Sequence, residues 1–291
     1  MEVDSAVATD LYAPAKLRRP QSVAELSREY SELFDIIGAD VNKRGNLALI
    51  EDSQLVYTAG NALVFENIWT RTREFLLGID EGGVSCVAIH PSRKYFAVGG
   101  RGFQPRIFIY TYPEKRIVKI LSGGGERGFA SLNFSAGGSK LASVSTSPDY
   151  LLTVWDWEEE KIALHSKAFG QDVFTVRFSL DDERRLTTCG TGHIRFWKMA
   201  ATFTGLKLQG YIGKFGKVEL SDIGSFIELP DGKVVSGTET GALLMWEGNF
   251  IKCRFTQRGG ALCHSGVVTY VDFDRQERCL ITAAADGYIR W

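Results

Sequence analysis

One pattern occurs five times in the chain, as ALVF (62–65), IFIY (107–110), LTVW (152–155), IRFW (194–197) and LLMW (243–246). Each copy opens on an apolar residue and ends three places later on an aromatic residue, which we call the blade anchor. The first positions are 45, 45, 42 and 49 residues apart, and a sixth copy, IRW, begins 46 residues later at Ile289. Such a period indicates one supersecondary unit that is repeated along the chain.

Each unit carries further alternating runs upstream of its anchor. In the third unit these are SLNF (131–134) and KLASV (140–144), and they are joined by the turn-forming SAGG (135–138). Alternation with period 2 is typical of half-buried strands, and several strands per repeat of this length are typical of propeller blades. We therefore predict an all-β fold in which residues 39–291 form about five and a half blades of a β-propeller. The sixth copy stops one residue before its anchor, so we expect a longer natural protein.

Residues 1–38 differ from the repeats and are expected to form an N-terminal arm with a short helix. The stretch SVAE (22–25) reads as a capping box, apolar residues follow at three- and four-residue steps from Val23 to Ile37, and Gly38 could end the helix. The amphipathic pattern leaves two roles open, because its apolar face could pack on the propeller rim or dock on a partner.

The last unit carries the clearest family resemblance, in HSGVVTYVDF (264–273) and LITAAADGYIRW (280–291). It resembles a WD repeat, a family in which His, Ser or Thr, Asp and Trp form a buried hydrogen-bond relay across the blade. The resemblance implies a structural relay of His264, Thr282 and Asp286. A closed relay is also physically sensible, since a buried polar group is costly unless it is paired.

The other units match this family less closely. The third unit has the Trp155-Asp156 dipeptide, but the fourth and fifth have Thr191 and Thr240 in place of Asp286. We expect those blades to depend more on apolar packing around the anchors. The five anchors are Phe65, Tyr110, Trp155, Trp197 and Trp246.

Longer strings resemble WD-repeat proteins of motile cilia and flagella. They include DYLLTVWDW (149–157), KAFGQDVF (167–174), GHIRFW (192–197) and FTGLKLQG (203–210). The resemblance implies a structural component of the axoneme and its cytoskeleton, with further WD repeats and coiled coil in the longer protein. The implied partners are components of the tether and tether head, inner dynein arm chains, and tubulin or doublet-associated proteins.

Composition and motifs argue against a nucleic-acid-binding protein, a membrane protein and an enzyme with a metal or phosphate site. The formal net charge of −1 supplies no global field for nucleic acid or an acidic membrane, and no run approaches 18 apolar residues. The four histidines lack zinc-ligand spacing, and GGGERG (123–128) lacks the ending of a phosphate loop. We therefore expect a non-catalytic scaffold without cofactor or metal. An enzyme with its site at the channel mouth and a general adaptor in a cytosolic complex remain the alternatives.

Aromatic and arginine side chains on loops are the best candidates for partner contacts, because such residues dominate binding energy at interfaces. The segment 198–220 contains a glycine-rich stretch that is either a simple connection or a contact surface. The candidate contacts are Phe103, Arg106, Tyr150, Phe215 and Tyr288.

If the ring of blades is open, the isolated 291-residue chain will be poorly soluble, because unpaired strand edges promote aggregation. Size-exclusion chromatography and urea unfolding of residues 1–291 test this expectation. A monomeric peak with one cooperative unfolding transition would count against it.

Overall fold

The computed structural model describes residues 35–36, 38–39, 44–79 and 82–291. Contacts divide the chain into two units, Met1–Ile36 and Ile37–Trp291, and every described strand belongs to the second. The helix expected to begin at Ser22 lies outside the described residues, so it remains a prediction, as does the boundary after residue 38.

The strands form six antiparallel sheets, in which each strand pairs with its neighbours in sequence. The first blade contains β1 (Leu47–Glu51), β2 (Gln54–Ala59), β3 (Ala62–Asn67) and β4 (Arg73–Leu76). The second contains β5 (Val84–Ile89), β6 (Tyr95–Gly100), β7 (Ile107–Thr111) and β8 (Ile117–Leu121). The third contains β9 (Phe129–Phe134), β10 (Leu141–Ser145), β11 (Leu151–Asp156) and β12 (Lys161–Lys167), with one 3₁₀ turn at Trp157–Glu159.

The remaining blades follow the same order. The fourth contains β13 (Val173–Phe178), β14 (Arg185–Gly190), β15 (His193–Thr202) and β16 (Gly205–Ile212). The fifth contains β17 (Ile223–Glu228), β18 (Val234–Thr238), β19 (Leu243–Glu247) and β20 (Phe250–Phe255). The sixth has three strands, β21 (Val268–Asp274), β22 (Cys279–Ala284) and β23 (Ile289–Arg290). The prediction of an all-β propeller with about five and a half blades is confirmed.

The core lies between blades and not within one central layer. One cluster joins the first and second blades through Phe65 and Phe96, and another joins the second and third through Ile109 and Trp155. Inner strands are also linked by polar contacts, since the Val176 N–H donates to Ser131 Oγ at 3.2 Å. Each blade therefore depends on its neighbour for burial.

All five anchors are buried on the third strand of their blade. Each of the three tryptophans donates its indole N–H to a hydroxyl on the adjacent second strand. The donor–acceptor distances are 2.8 Å for Trp155 to Ser143, 2.9 Å for Trp197 to Thr188 and 2.8 Å for Trp246 to Ser236. A large apolar side chain is thus buried without leaving its one donor unpaired.

In the first two blades the anchors pack against another aromatic ring. Phe65 and Tyr110 both pack on Phe96, with ring centroids 5.5 and 5.1 Å apart. The register places Thr58 and Val98 where the other blades have the accepting hydroxyl. Because Phe65 has no donor, the Thr58 hydroxyl is buried without a hydrogen-bond partner among the described residues.

This difference predicts opposite outcomes for the same substitution in two blades. Thr188→Val leaves the Trp197 N–H buried and unpaired, and should lower the free energy of unfolding by about 1–3 kcal/mol. Thr58→Val removes an unpaired hydroxyl and should be neutral or stabilising by up to about 1 kcal/mol. Urea unfolding followed by tryptophan fluorescence measures both. Equal destabilisation by the two variants would show that the hydroxyl bond does not anchor the blade.

Candidate functional site

The structure brings the three relay residues of the sixth blade together. His264 precedes β21, Thr282 lies in β22, and Asp286 lies in the turn before β23. His264 Nδ1 is 3.0 Å from Asp286 Oδ2, and His264 Nε2 is 2.9 Å from Thr282 Oγ1. His264 and Thr282 are both buried. The His264 ring thus bridges the carboxylate and the hydroxyl, and its tautomer decides which nitrogen donates.

The Asp286 carboxylate is the most connected group of the relay. The backbone N–H groups of Ser265 and Tyr288 each donate to it at 3.1 Å. Burial alone would raise the pKa of Asp286, but these two donors and His264 outweigh it and lower the pKa to about 2. The group is therefore held as a carboxylate at neutral pH.

Sequence reasoning missed a fourth member, Arg290. Its Nη1 donates to Asp286 Oδ2 at 3.1 Å and lies 2.7 Å from His264 Nδ1. Arginine can only donate, so Nδ1 accepts from Arg290 when it is unprotonated and donates to Asp286 when it is protonated. The strand register, which pairs Arg290 with Thr282, is the signal that could have identified it.

The third and fourth blades keep only parts of the relay. Asp149 precedes Leu152 by three residues, as Asp286 precedes Ile289, but both of its carboxylate oxygens lack a partner among the described residues. In the fourth blade His193 directly precedes Ile194, as Tyr288 precedes Ile289, so it is not the counterpart of His264. It is buried, and its ring stacks on Phe169, with centroids 3.8 Å apart.

Four candidate contacts lie on one face of the propeller, which we call the loop face. It is formed by the turns from second to third strands and by the connections between blades. Phe103 and Arg106 lie between β6 and β7, Tyr150 lies between β10 and β11, and Tyr288 lies between β22 and β23. Phe103 is 77% exposed and Tyr288 is 61% exposed, whereas Tyr150 is partly buried.

Tyr150 has a left-handed backbone conformation, with φ +49°. Glycine occupies the matching turn position in the fourth and sixth blades, with φ +63° at Gly192 and +79° at Gly287. A residue with a Cβ costs about 1–2 kcal/mol in this region. The Tyr150 backbone is therefore strained, and glycine at this position would relieve the strain.

The expectation for Phe215 is wrong. The side chain is 9% exposed and packs edge-on against Trp246, with ring centroids 5.3 Å apart. The residues before it extend the hairpin of β15 and β16, and the chain then turns Phe215 inward between the fourth and fifth blades. A buried ring at this place serves the core.

Two kinds of site are absent from the described part of the chain. No helix there is long and apolar enough to span a lipid bilayer. No group of three or more His, Cys, Asp or Glu side chains among these residues is placed to hold a metal ion.

The sheets, the anchors and the relay define a WD-repeat β-propeller. The model of the first β-propeller of echinoderm microtubule-associated protein matches residues 81–291. The chain belongs to this family.

Curated relatives extend the similarity to nearly the whole chain. Cilia- and flagella-associated protein 44 of Mus musculus is 46% identical over 253 residues, or 87% of the chain, and that of Chlamydomonas reinhardtii is 49% identical over 252 residues, or 84%. The chain spans 14% of the length of each. Human echinoderm microtubule-associated protein-like 4 is 31% identical over 70% of the chain and 21% of its own length.

A solved structure shows the same fold. The β-propeller domain of Myceliophteria thermophila Cps50 aligns with a TM-score of 0.58 and 16% identity, over 71% of this chain and 64% of that one. At this identity the likeness concerns the fold alone.

The lowered pKa of Asp286 predicts acid-dependent stability. A depressed carboxyl pKa stabilises the fold above the unfolded value of about 4, and this contribution is lost as pH falls from about 4 to about 2. Asp286→Asn should remove most of this loss, and urea unfolding between pH 7 and 2 measures it.

Asp181→Asn is the matched control, because Asp181 is exposed in the turn between β13 and β14. It should keep the wild-type dependence on pH. If Asp286→Asn also keeps the full loss between pH 4 and 2, the relay carboxylate is not the group that titrates.

Proposed function

We propose that this chain is a non-catalytic scaffold of the axoneme in motile cilia and flagella. It holds partner proteins on the doublet microtubule near the tether of the inner dynein arm, and it needs no cofactor. The observation that carries the proposal is the identity of 46–49% over 84–87% of the chain to cilia- and flagella-associated protein 44 of mouse and Chlamydomonas.

The family supports the class of partner. Its name describes a microtubule-associated protein. The proposed partners are therefore tubulin, doublet-associated proteins, tether or tether-head components and inner dynein arm chains. The relative of the same name in Trypanosoma brucei, which is 36% identical over 304 residues, also supports the proposal.

The geometry suits a scaffold. Buried interblade clusters make a stiff disc, while loops on its surface are free to vary and to bind. Exposed Phe103 and Tyr288 supply aromatic contact area on the loop face. Strain at Tyr150 fits a residue that is kept for binding, since strained backbone clusters at functional sites.

Fractionation of a ciliated cell tests the proposal. The protein, tagged at its native locus, should stay on axonemes after detergent removes the membrane and should leave only at high salt. A diffuse cytosolic signal that leaves with detergent would contradict the axonemal role and would favour the general adaptor.

A loop-face variant tests the contact residues. Phe103→Ala with Tyr288→Ala should lower the retained fraction severalfold, because truncated aromatic contacts commonly cost more than 1 kcal/mol. Leu180→Ala is the control, since Leu180 is 48% exposed in the turn between β13 and β14, on the opposite face. Equal retention of both variants would exclude these two aromatics as contacts.

A further inference from the structure

A pocket on the loop face is lined by three arginines. It measures about 540 Å³ and lies where the second, third and fourth blades meet at the mouth of the channel. Arg44, Arg101 and Arg127 line it, and the partly exposed Ala130 and Phe174 contribute apolar surface. The three arginines come from three separate connections, so their grouping is a product of the fold.

Backbone contacts fix two of the arginines side by side. Arg101 follows β6, and Arg127 precedes β9 at the end of the glycine-rich stretch 123–128. The Gly102 N–H donates to the Arg127 carbonyl at 2.9 Å, and Arg101 forms a β-bridge with Gly128. Both arginine residues are exposed at the pocket mouth.

Arg44 lies deeper and reaches across from the first blade to the fourth. Its Cζ sits 4.0 Å from the centroid of the Phe174 ring, and its Nη1 is buried without a hydrogen-bond partner among the described residues. Burial lowers the pKa of the Arg44 guanidinium, while Cys189 and Asp222 nearby oppose this effect. A buried cation without a hydrogen-bonded partner is stabilised by an incoming anion.

The lining has little negative charge to balance these cations. Among the described residues that line it, Asp172 is the one carboxylate, and none of the three arginines forms an ion pair with a described residue. Some other arginines are paired, as Arg93 is with Asp52 at 2.9 Å. Three guanidinium groups and one carboxylate among the described lining residues give the pocket an excess of positive charge.

We propose that this pocket binds an acidic peptide segment of a partner protein. Guanidinium groups of Arg101 and Arg127 hold glutamate or aspartate carboxylates at the mouth, and Arg44 receives a carboxylate deeper in the channel. Arginine matches carboxylates with two parallel hydrogen bonds, which favours it over lysine for this task. The partly exposed surface of Ala130 and Phe174 accepts the aliphatic part of the segment. The inference concerns the pocket and does not depend on the axonemal role.

Fluorescence anisotropy of labelled ten-residue peptides tests it, with the 291-residue chain fused to a soluble carrier. A glutamate-rich peptide should bind at least about tenfold more tightly than its glutamine counterpart, and its binding should weaken as salt rises. Arg101→Gln with Arg127→Gln should weaken binding of the glutamate peptide at least about tenfold.

The control variant is Arg275→Gln with Arg278→Gln, which removes the same charge from the turn between β21 and β22 on the opposite face. It should bind within about twofold of wild type. If tryptophan fluorescence shows that the double pocket variant fails to fold, peptide binding by the single variant Arg44→Gln is measured in its place.

Three outcomes would overturn the proposal. They are equal binding of the glutamate and glutamine peptides, unchanged binding in both pocket variants, and equal loss in the control variant. Tighter binding of a phosphoserine peptide than of the glutamate peptide would assign the pocket to phosphate and would also contradict it. Each outcome is independent of whether the protein stays on axonemes.

Discussion

Burial of the third strand between neighbouring blades is the constraint on which the rest of the molecule depends. Residues of β3, β7 and β11 are almost wholly removed from water, and each strand carries an anchor that fills the space to the next blade. A buried strand must have both backbone edges hydrogen-bonded, so a second and a fourth strand flank it. The outer strands, such as β12 and β20, are largely exposed.

The anchors show two ways to meet this constraint. A tryptophan anchor buries a large apolar side chain that carries an indole N–H donor. The second strand must therefore supply a hydroxyl that accepts this hydrogen bond, as Ser143 does for Trp155. Phenylalanine brings no donor, and a hydroxyl at the same register, Thr58, then has no partner among the described residues. In the sixth blade the relay adds hydrogen bonds at the loop face, where His264 and Asp286 link the connection before β21 to the turn before β23.

The fold and the anchors could be predicted because they depend on periods that the sequence displays. Alternation marks the strands, and a spacing of 42–49 residues between copies marks the blades. The relay could be named because one repeat, residues 264–291, keeps most of its family pattern. Each of these signals lies within one repeat or in the spacing between repeats.

What could not be predicted depends on contacts between distant parts of the chain. Phe215 looks like a loop aromatic in sequence, yet the fourth and fifth blades enclose it. Arg44 and Arg127 lie 83 residues apart, and no motif links them before the blades are assembled. Arg290 joins Asp286 only through the register of a two-residue strand, β23.

We propose that this propeller is a scaffold which contacts axonemal partners through its loop face. Electron cryo-microscopy of demembranated axonemes tests this proposal, with the protein located by a tag that is absent from a control strain. We expect density for the propeller on the doublet, with Phe103 and Tyr288 at an interface with a neighbouring protein. Tag density away from the doublet, or a propeller attached only through its outer strands with the loop face open to solvent, would show that the proposal is wrong.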